Sequence, residues 1–288
     1  IFYTQDLVEG RGGVESVSRL LAEYWSKAGC FVCFLGNVGE DSIKSGQYFL
    51  SPVSSDISVL SAQLRNFVET KKINILIHQG AKDKFSSNLV VSANLSSVRV
   101  FSVIHNSLIG HLKGSEYYSK AMTLAKVGIP ERIIYRIIVE LYILSYHGHY
   151  KKLFASSNRI VLLSMNYQPE IQKVTRGKLS VAKLMSIPNP IRNELVNSSP
   201  TNNTVPNLLF VGRLEEKQKR LRLLLHIWSK VALLYPNVVF NVVGDGPHKA
   251  MLQEYVHKLD IPRVVFHGYC DPVRFYKKGG IFVMASAF

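Results

Sequence analysis

Short apolar runs take turns with stretches of helical periodicity along nearly the whole chain, and few architectures accommodate that pattern. "IFYTQDL" precedes "VESVSRLLAEYWSKAG", where Val14, Val17, Leu20, Leu21, Tyr24, Trp25 and Ala28 recur at helical spacing. Gly29 then supplies a residue type that ends helices without strain. "CFVCFLG" reads as the next strand, and Leu60, Leu64, Phe67 and Val68 mark a second helix. "INILIHQ" and "VRVFSVIHN" are near-continuous apolar runs, as in strands buried on both faces. From Ser107 to Tyr150 the pattern is mainly helical, with Pro130 suited to a first turn. "RIVLLS" is a further strand, followed by a short helix over 168–174.

"KLMSIPNPI" brings two prolines, Pro188 and Pro190, which make a stiff connector, and the polar, turn-rich "NSSPTNNTVPN" follows. The alternation then resumes. Strand "NLLFVG" leads to a helix through Leu221, Leu224, Leu225, Trp228, Val231, Ala232 and Tyr235. Strand "VVFNVVG" leads to one through Met251, Leu252, Tyr255, Val256 and Leu259. Strand "RVVFHG", a short helix near "DPVRFYKK" and strand "IFVMA" complete the chain. Such alternation predicts parallel sheets with right-handed crossovers. The expected organisation is a doubly wound α/β domain over 1–187, a linker over 188–206 and a second α/β domain over 207–288. Open α/β sheets bind ligands beyond the carboxyl ends of their strands. Both domains are expected to present those ends to a cleft.

Composition narrows the partners. Hydrophobic residues make up 47% of the chain, which excludes a disordered protein. The 35 Lys and Arg against 20 acidic residues leave a formal charge of +15. That excess suits an anion: nucleic acid, an acidic membrane surface or a phosphorylated substrate. Neither a helix-turn-helix pattern nor an aromatic-studded basic face is evident, so nucleic acid is not expected. Three cysteines argue against a disulfide framework. Cys30 and Cys33 form a C-x-x-C inside a strand-like run, where two buried thiols in a reducing compartment are expected rather than a redox pair. The apolar run over 133–146 is interrupted by Arg136 and Glu140 and is too short to span a bilayer, so a buried or interfacial helix is expected. No signal peptide is visible, and the expected location is cytoplasmic, soluble or peripheral on the inner face of the plasma membrane.

Several junctions combine glycine with charge. Gly212, Arg213 and Lys219 fall between a strand and a helix, where helix-start amides and two cations suit a diphosphate. A solvated basic turn is the competing reading. Gly244, Asp245, Gly246 and Pro247 lie in "VVGDGP" between a strand and a helix, a turn that either approaches a nucleotide or simply reverses the chain. Gly12 and Gly13 precede the first helix but lack the third glycine of a dinucleotide fingerprint. His105 ends a buried run, placed to contact substrate or to serve structure. The segment 111–152 carries Lys113, Lys120, Lys126, Arg132, Arg136, Lys151 and Lys152 among many tyrosines, which suits an acidic membrane surface, an anionic acceptor or a solvated face.

Taken together, "FVGRL…QKR", "VVGDGP", "VVFHGYCDP" and "IFVMASAF", with "RGGVE", "VIHN" and "IPNPI" upstream, resemble the GT-B glycosyltransferases of group 1, family 4. The resemblance implies two Rossmann-like domains facing across a cleft. It implies retaining transfer of a sugar, of hexosyl type, from a nucleotide-sugar to a saccharide or lipid-linked acceptor, in polysaccharide or glycolipid assembly, without a metal or other cofactor. By the same resemblance Arg213 and Lys219 hold the donor diphosphate, with Lys219 rather than Lys217 on the lysine of "QKR". Gly12 and Gly13 contact donor phosphate or sugar, His105 meets the transferred sugar, and Gly244 to Pro247 border the base. The family continues past "SAF" with a Glu-x7-Glu segment, so the second domain is expected to be incomplete here. A catalytically inert fragment serving as a binding or scaffold module is the alternative.

Overall fold

A computed structural model describes residues 1–2, 13–36, 47–49, 56–110, 112, 121–123, 128–191 and 207–287. The chain divides into two compact units, 1–190 and 191–288. Unit 1 contains α1 (Gly13–Lys27), β1 (Phe34–Gly36), β2 (Gln47–Phe49), α2 (Ile57–Thr70), β3 (Ile75–His78) and α3 (Lys84–Ala93). It continues with β4 (Arg99–Ile104), α4 (Glu131–Ser156), β5 (Arg159–Leu162), α5 (Gln168–Thr175) and β6 (Leu184–Ser186). Unit 2 contains β7 (Leu208–Val211), α6 (Glu216–Lys219), α7 (Leu221–Val231), β8 (Phe240–Val243), α8 (Lys249–Lys258), β9 (Val264–Gly268), α9 (Val273–Lys277) and β10 (Ile281–Phe282).

Every strand pair among the described residues is parallel. In unit 1, β1 pairs with β2, and β3-β4-β5-β6 run side by side. Phe2 bridges both Leu35 and His78, so the first stretch of chain lies between β1 and β3. The winding thus goes outward through β1 and β2, then returns to build the other side. Unit 2 repeats the device in the order β10-β7-β8-β9, with β7 between β8 and the returning β10. Each unit is therefore doubly wound, and each has a switch point beside its first strand.

Local chemistry sets the helix ends. The Asp56 carboxylate accepts from Ser58 N at 2.8 Å and starts α2. Asp83 accepts from Ser86 N at 2.7 Å and starts α3. Gly29, at φ 83°, follows α1 in the left-handed region its sequence position predicts. Leu60, Leu64 and Val68 of α2 and Leu89, Val90 and Ala93 of α3 pack with Phe2, Leu35, Leu76 and Val100. Val139, Ile143, Tyr150, Leu153 and Phe154 of α4 join Ile104, Ile160 and Leu162 in a second cluster. In unit 2, Leu221, Leu225 and Trp228 of α7 pack on Phe210, Phe240 and Val242. The Trp228 indole donates to Pro262 O at 2.8 Å, so its polar edge is satisfied. Each such large apolar side chain contributes about 1.5–3 kcal/mol of burial.

The structure departs from expectation in several places. "LMS", not expected as a strand, is β6, paired with β5 at the end of the expected first domain. Neither β2 nor α3 is marked by a strong period. The buried side of α1 is Glu15, Ser18 and Ala22, while Tyr24 is exposed and Val17, Leu21 and Trp25 are half-buried. Only Cys33 of the C-x-x-C is buried; Cys30 precedes the strand and is exposed. The helix after β7 is broken in two by Arg220, at φ 50°.

Candidate functional site

In unit 2 the chemistry gathers at the carboxyl ends of β7, β8 and β10. Gly212 N donates to Val243 O at 3.0 Å, which extends the β7–β8 pairing past the strand. Leu214 N donates to Asp245 O at 2.9 Å, and His248 N returns to Leu214 O at 3.1 Å. The "GRL" and "GDGP" turns are therefore zipped together backbone to backbone. A Cβ on Gly244, at φ 136°, would sit 2.0 Å from Gly212 O, and one on Gly246 would sit 2.6 Å from Leu214 O. The two glycines are required by this contact between loops, a different close approach from the nucleotide contact the motif suggests. Asp245 accepts from Gly246 N at 2.8 Å and from Lys249 Nζ at 2.9 Å. The Lys249 hydrogen bond, followed by that of Gly246, holds its carboxyl below the usual range. Pro247 is exposed beside it.

The basic junction is also more structured than a loop. Lys219 lies in the last turn of the short α6, and its Cε is 4.0 Å from the position of a Cβ on Gly212. Its side chain thus folds back toward the strand end, whereas Lys217 is exposed. The helix-start amides expected to hold an anion are partly taken: Glu216 Oε2 accepts from Arg222 N at 2.9 Å in the first turn of α7. Arg213 remains 57% exposed, with Glu215 Oε2 at 4.0 Å from its Nε. From the β10 side, Ala287 N donates to Gln218 O at 2.8 Å, and the adjacent Ser286 Oγ is buried without a hydrogen-bond partner. Sequence reading missed Ser286, although "SAF" marked a strand end at the switch point.

In unit 1, His105 stands one residue beyond β4, and its Nε2 is 2.6 Å from Gln79 Oε1, beyond the end of β3. Burial lowers the His105 pKa to about 4, so the ring is neutral at neutral pH. The amide oxygen can only accept, so Nε2 carries the proton and Nδ1 presents a lone pair. A neutral hydrogen-bonding ring is the result, and an imidazolium is not. The turn after His105 is held from below. Glu170 accepts from Ser107 Oγ at 2.7 Å and from Leu108 N at 2.7 Å, while Gly110 N donates to Ser107 Oγ at 2.6 Å. Lys82 Nζ donates to Ser107 O at 3.1 Å, and burial lowers its pKa to about 8. Gln79 ends the quoted run "INILIHQ" and was legible as a strand-end polar residue. Lys82 and Glu170 carry no local signal. Gly13 is the first residue of α1 and has open space where a Cβ would stand. Gly12 lies outside the described residues, as do Lys113, Lys120 and Lys126 of the basic segment.

Two doubly wound α/β units in one chain, with glycine-bearing turns and two cations at strand ends, define the fold class as GT-B. Residues 205–288 match the family model described as "Glycosyl transferases group 1". No curated protein matches the chain. Among solved structures it is similar to a glycosyltransferase from Rickettsia africae ESF-5, at TM-score 0.63 and 14% identity over 96% of this chain and 70% of that one. It is similar to the lipopolysaccharide outer core galactosyltransferase WaaB, at TM-score 0.57 and 16% identity over 99% and 73%. The catalytic domain of starch synthase IV from Arabidopsis thaliana, bound to ADP and acarbose, matches at TM-score 0.61 and 12% identity over 100% and 77%. At these identities the likeness is one of fold.

Proposed function

We propose that this protein transfers a sugar from a nucleotide-sugar to a saccharide or lipid-linked acceptor, with retention at the anomeric carbon. One observation carries the reading. Arg213 and Lys219 lie at the end of β7 at the switch point of unit 2, inside the matched family segment, and Glu215 reaches only to 4.0 Å from Arg213. Cleavage of the bond from the sugar to the diphosphate leaves the electron pair, and so negative charge, on the leaving phosphate oxygen. A guanidinium fork and an ammonium fixed at that place neutralise the charge as it forms. The buried, unpartnered Ser286 Oγ is a further group suited to a donor oxygen. Gly212 and the zipped turn of Gly244, Asp245, Gly246 and Pro247 set the floor on which the two cations stand. For unit 1, the neutral His105 ring offers Nδ1 to a sugar hydroxyl, and Gly13, which follows Gly12 in the sequence, is the first residue of α1. The starch synthase IV domain was solved with ADP, which makes nucleoside diphosphates the natural first probe.

Calorimetric titration of the chain with UDP, ADP and GDP tests the reading. One of the three should bind, and Arg213→Ala and Lys219→Ala should each weaken it by about tenfold or more, as loss of a charge-assisted contact of 1.5–3 kcal/mol requires. Turnover of the matching nucleotide-sugar should fall about a hundredfold or more. Absence of binding by all three, or unchanged affinity in both variants, would reject the donor site and favour an inert module.

A further inference from the structure

The turns after β3 and β4 stand side by side, because the two strands are parallel neighbours. Two hydrogen bonds stitch them together: His105 Nε2 to Gln79 Oε1 at 2.6 Å, and Lys82 Nζ to Ser107 O at 3.1 Å. Each turn is also held from its own side. Asp83 N and Ser86 Oγ donate to Gly80 O at 2.8 and 2.9 Å, while Ser107 Oγ and Leu108 N donate to Glu170. Lys82 is half-buried, and so it is an anchored cation rather than a loose surface lysine. It lies outside the basic segment 111–152.

The charge of Lys82 lacks a counterion at contact distance. Among the described residues its one hydrogen bond goes to a carbonyl, and it enters no ion pair. Glu170 acts on it through space, while the hydrogen bonds of that carboxylate go to Ser107 Oγ, Leu108 N and Ile109 N. Burial outweighs Glu170 and lowers the Lys82 pKa to about 8, so the ammonium is partly desolvated yet mainly charged at neutral pH. Two of its three N–H donors remain for a ligand, and an anion there offsets the desolvation. The neighbouring His105 ring asks for a different group. Its Nδ1 lone pair accepts from a hydroxyl and repels an anion. His105 and Ser107 are two residues apart, at most about 7 Å along the chain, with Asn106 exposed between them. One sugar unit bridges that distance, with a hydroxyl at one end and a charged substituent at the other. We propose that Lys82 takes a carboxylate or phosphate carried by the sugar that binds beside His105. That the ligand is a sugar rests on the sugar-transfer reading; that Lys82 takes an anion rests on the geometry of unit 1.

Calorimetric titration with glucose, glucuronate, glucose phosphate and inorganic phosphate tests it. At least one of the two anionic sugars should bind about tenfold or more tighter than glucose. Lys82→Gln keeps a donor for Ser107 O but no charge, and it should bring that sugar down to the affinity of glucose. Lys82→Arg keeps the charge and should stay within about threefold of the parent. Which anionic sugar is preferred tells carboxylate from phosphate. Two results would overturn the proposal: anionic sugars bound no better than glucose, or a Lys82→Gln variant with the preference of the parent. Inorganic phosphate bound as tightly as glucose phosphate and lost in Lys82→Gln, with glucose not bound at all, would leave the anion site standing and count against the sugar-transfer reading of unit 1 instead.

Discussion

Replacing Gly244 with alanine should break unit 2 from within its candidate site. The new methyl would start 2.0 Å from Gly212 O. An ordinary carbon–oxygen approach is about 3.3 Å, so the two turns must separate by about 1.3 Å. They are tied by Gly212 N to Val243 O at 3.0 Å, Leu214 N to Asp245 O at 2.9 Å and His248 N to Leu214 O at 3.1 Å. Overpacking costs about 1–3 kcal/mol, and the backbone at φ 136° costs a side chain about 1–3 kcal/mol more. Weakening one or two of the ties adds about 0.5–1.5 kcal/mol each. The expected loss is about 2.5–9 kcal/mol, a large part of the stability of an ordinary domain. Gly268→Ala is the internal control. Its φ is 69° and the nearest atom is the flexible Lys249 Nζ at 3.5 Å, so only the left-handed backbone term of about 1–2 kcal/mol applies. Urea unfolding followed by tryptophan fluorescence separates the two, because Trp228 reports the core of unit 2. Equal losses in the two variants would refute the claim that contact between the turns, rather than glycine's flexibility, fixes this site.

Acid should destabilise unit 1 through its buried histidines. Burial lowers His78 to about 3 and His105 to about 4, below the ordinary value of 6.5, so the unfolded chain takes up protons that the folded chain refuses. Their contribution is full above the unfolded pKa and is lost as pH falls from about 6.5 toward 4 and 3, His78 alone removing about 2 kcal/mol by pH 5. Unfolding midpoints at the two ends of that window, in the parent and in His78→Asn, check it; a pH dependence identical in both would dismiss His78 as the cause. Glu170→Ala should lose about 1–3 kcal/mol by leaving Ser107 Oγ and Leu108 N without their acceptor. Glu170→Gln should lose less, since an amide oxygen still accepts, and thermal melts that rank the two the other way would contradict the assignment.

How much of this was legible in the sequence depended on whether a signal was local. The runs that became β4, β5, β7 and β8 were readable because strands buried on both faces are near-continuously apolar, and β3, β9 and β10 were readable as short apolar runs although β9 is only partly buried and β10 is exposed. β2 spans only Gln47–Phe49 and has no such run, and α3 carries Ser86 and Ser87 on its buried side, which blurs a hydrophobic period. "LMS" was hidden by the prolines after it. At the candidate site, the turn glycines and the two cations were visible as types, but their geometry was not. That Gly244 and Gly246 answer to Gly212 and Leu214 requires parallel β7 and β8 to be in register. Glu170 is 63 residues from Ser107 and meets it only once β4 and α5 are in place.

The allocation of charge in unit 2 follows from the same register. Asp245 is taken by Lys249 and by its own turn, and Glu216 is taken by the first turn of α7. Neither carboxylate is then free to neutralise Arg213 or Lys219. Glu215 reaches only to 4.0 Å, at the limit of an ion pair and in contact with solvent, where such pairs contribute little. Lys219 is nevertheless turned back over Gly212 rather than released into water, as Lys217 is. Like charges crowded at one strand end repel, and a fold that only needed a solvated turn would gain by letting the second lysine go. On the proposed reading, an anion with more than one charge bound at the β7 switch point would stabilise the arrangement, as a diphosphate would.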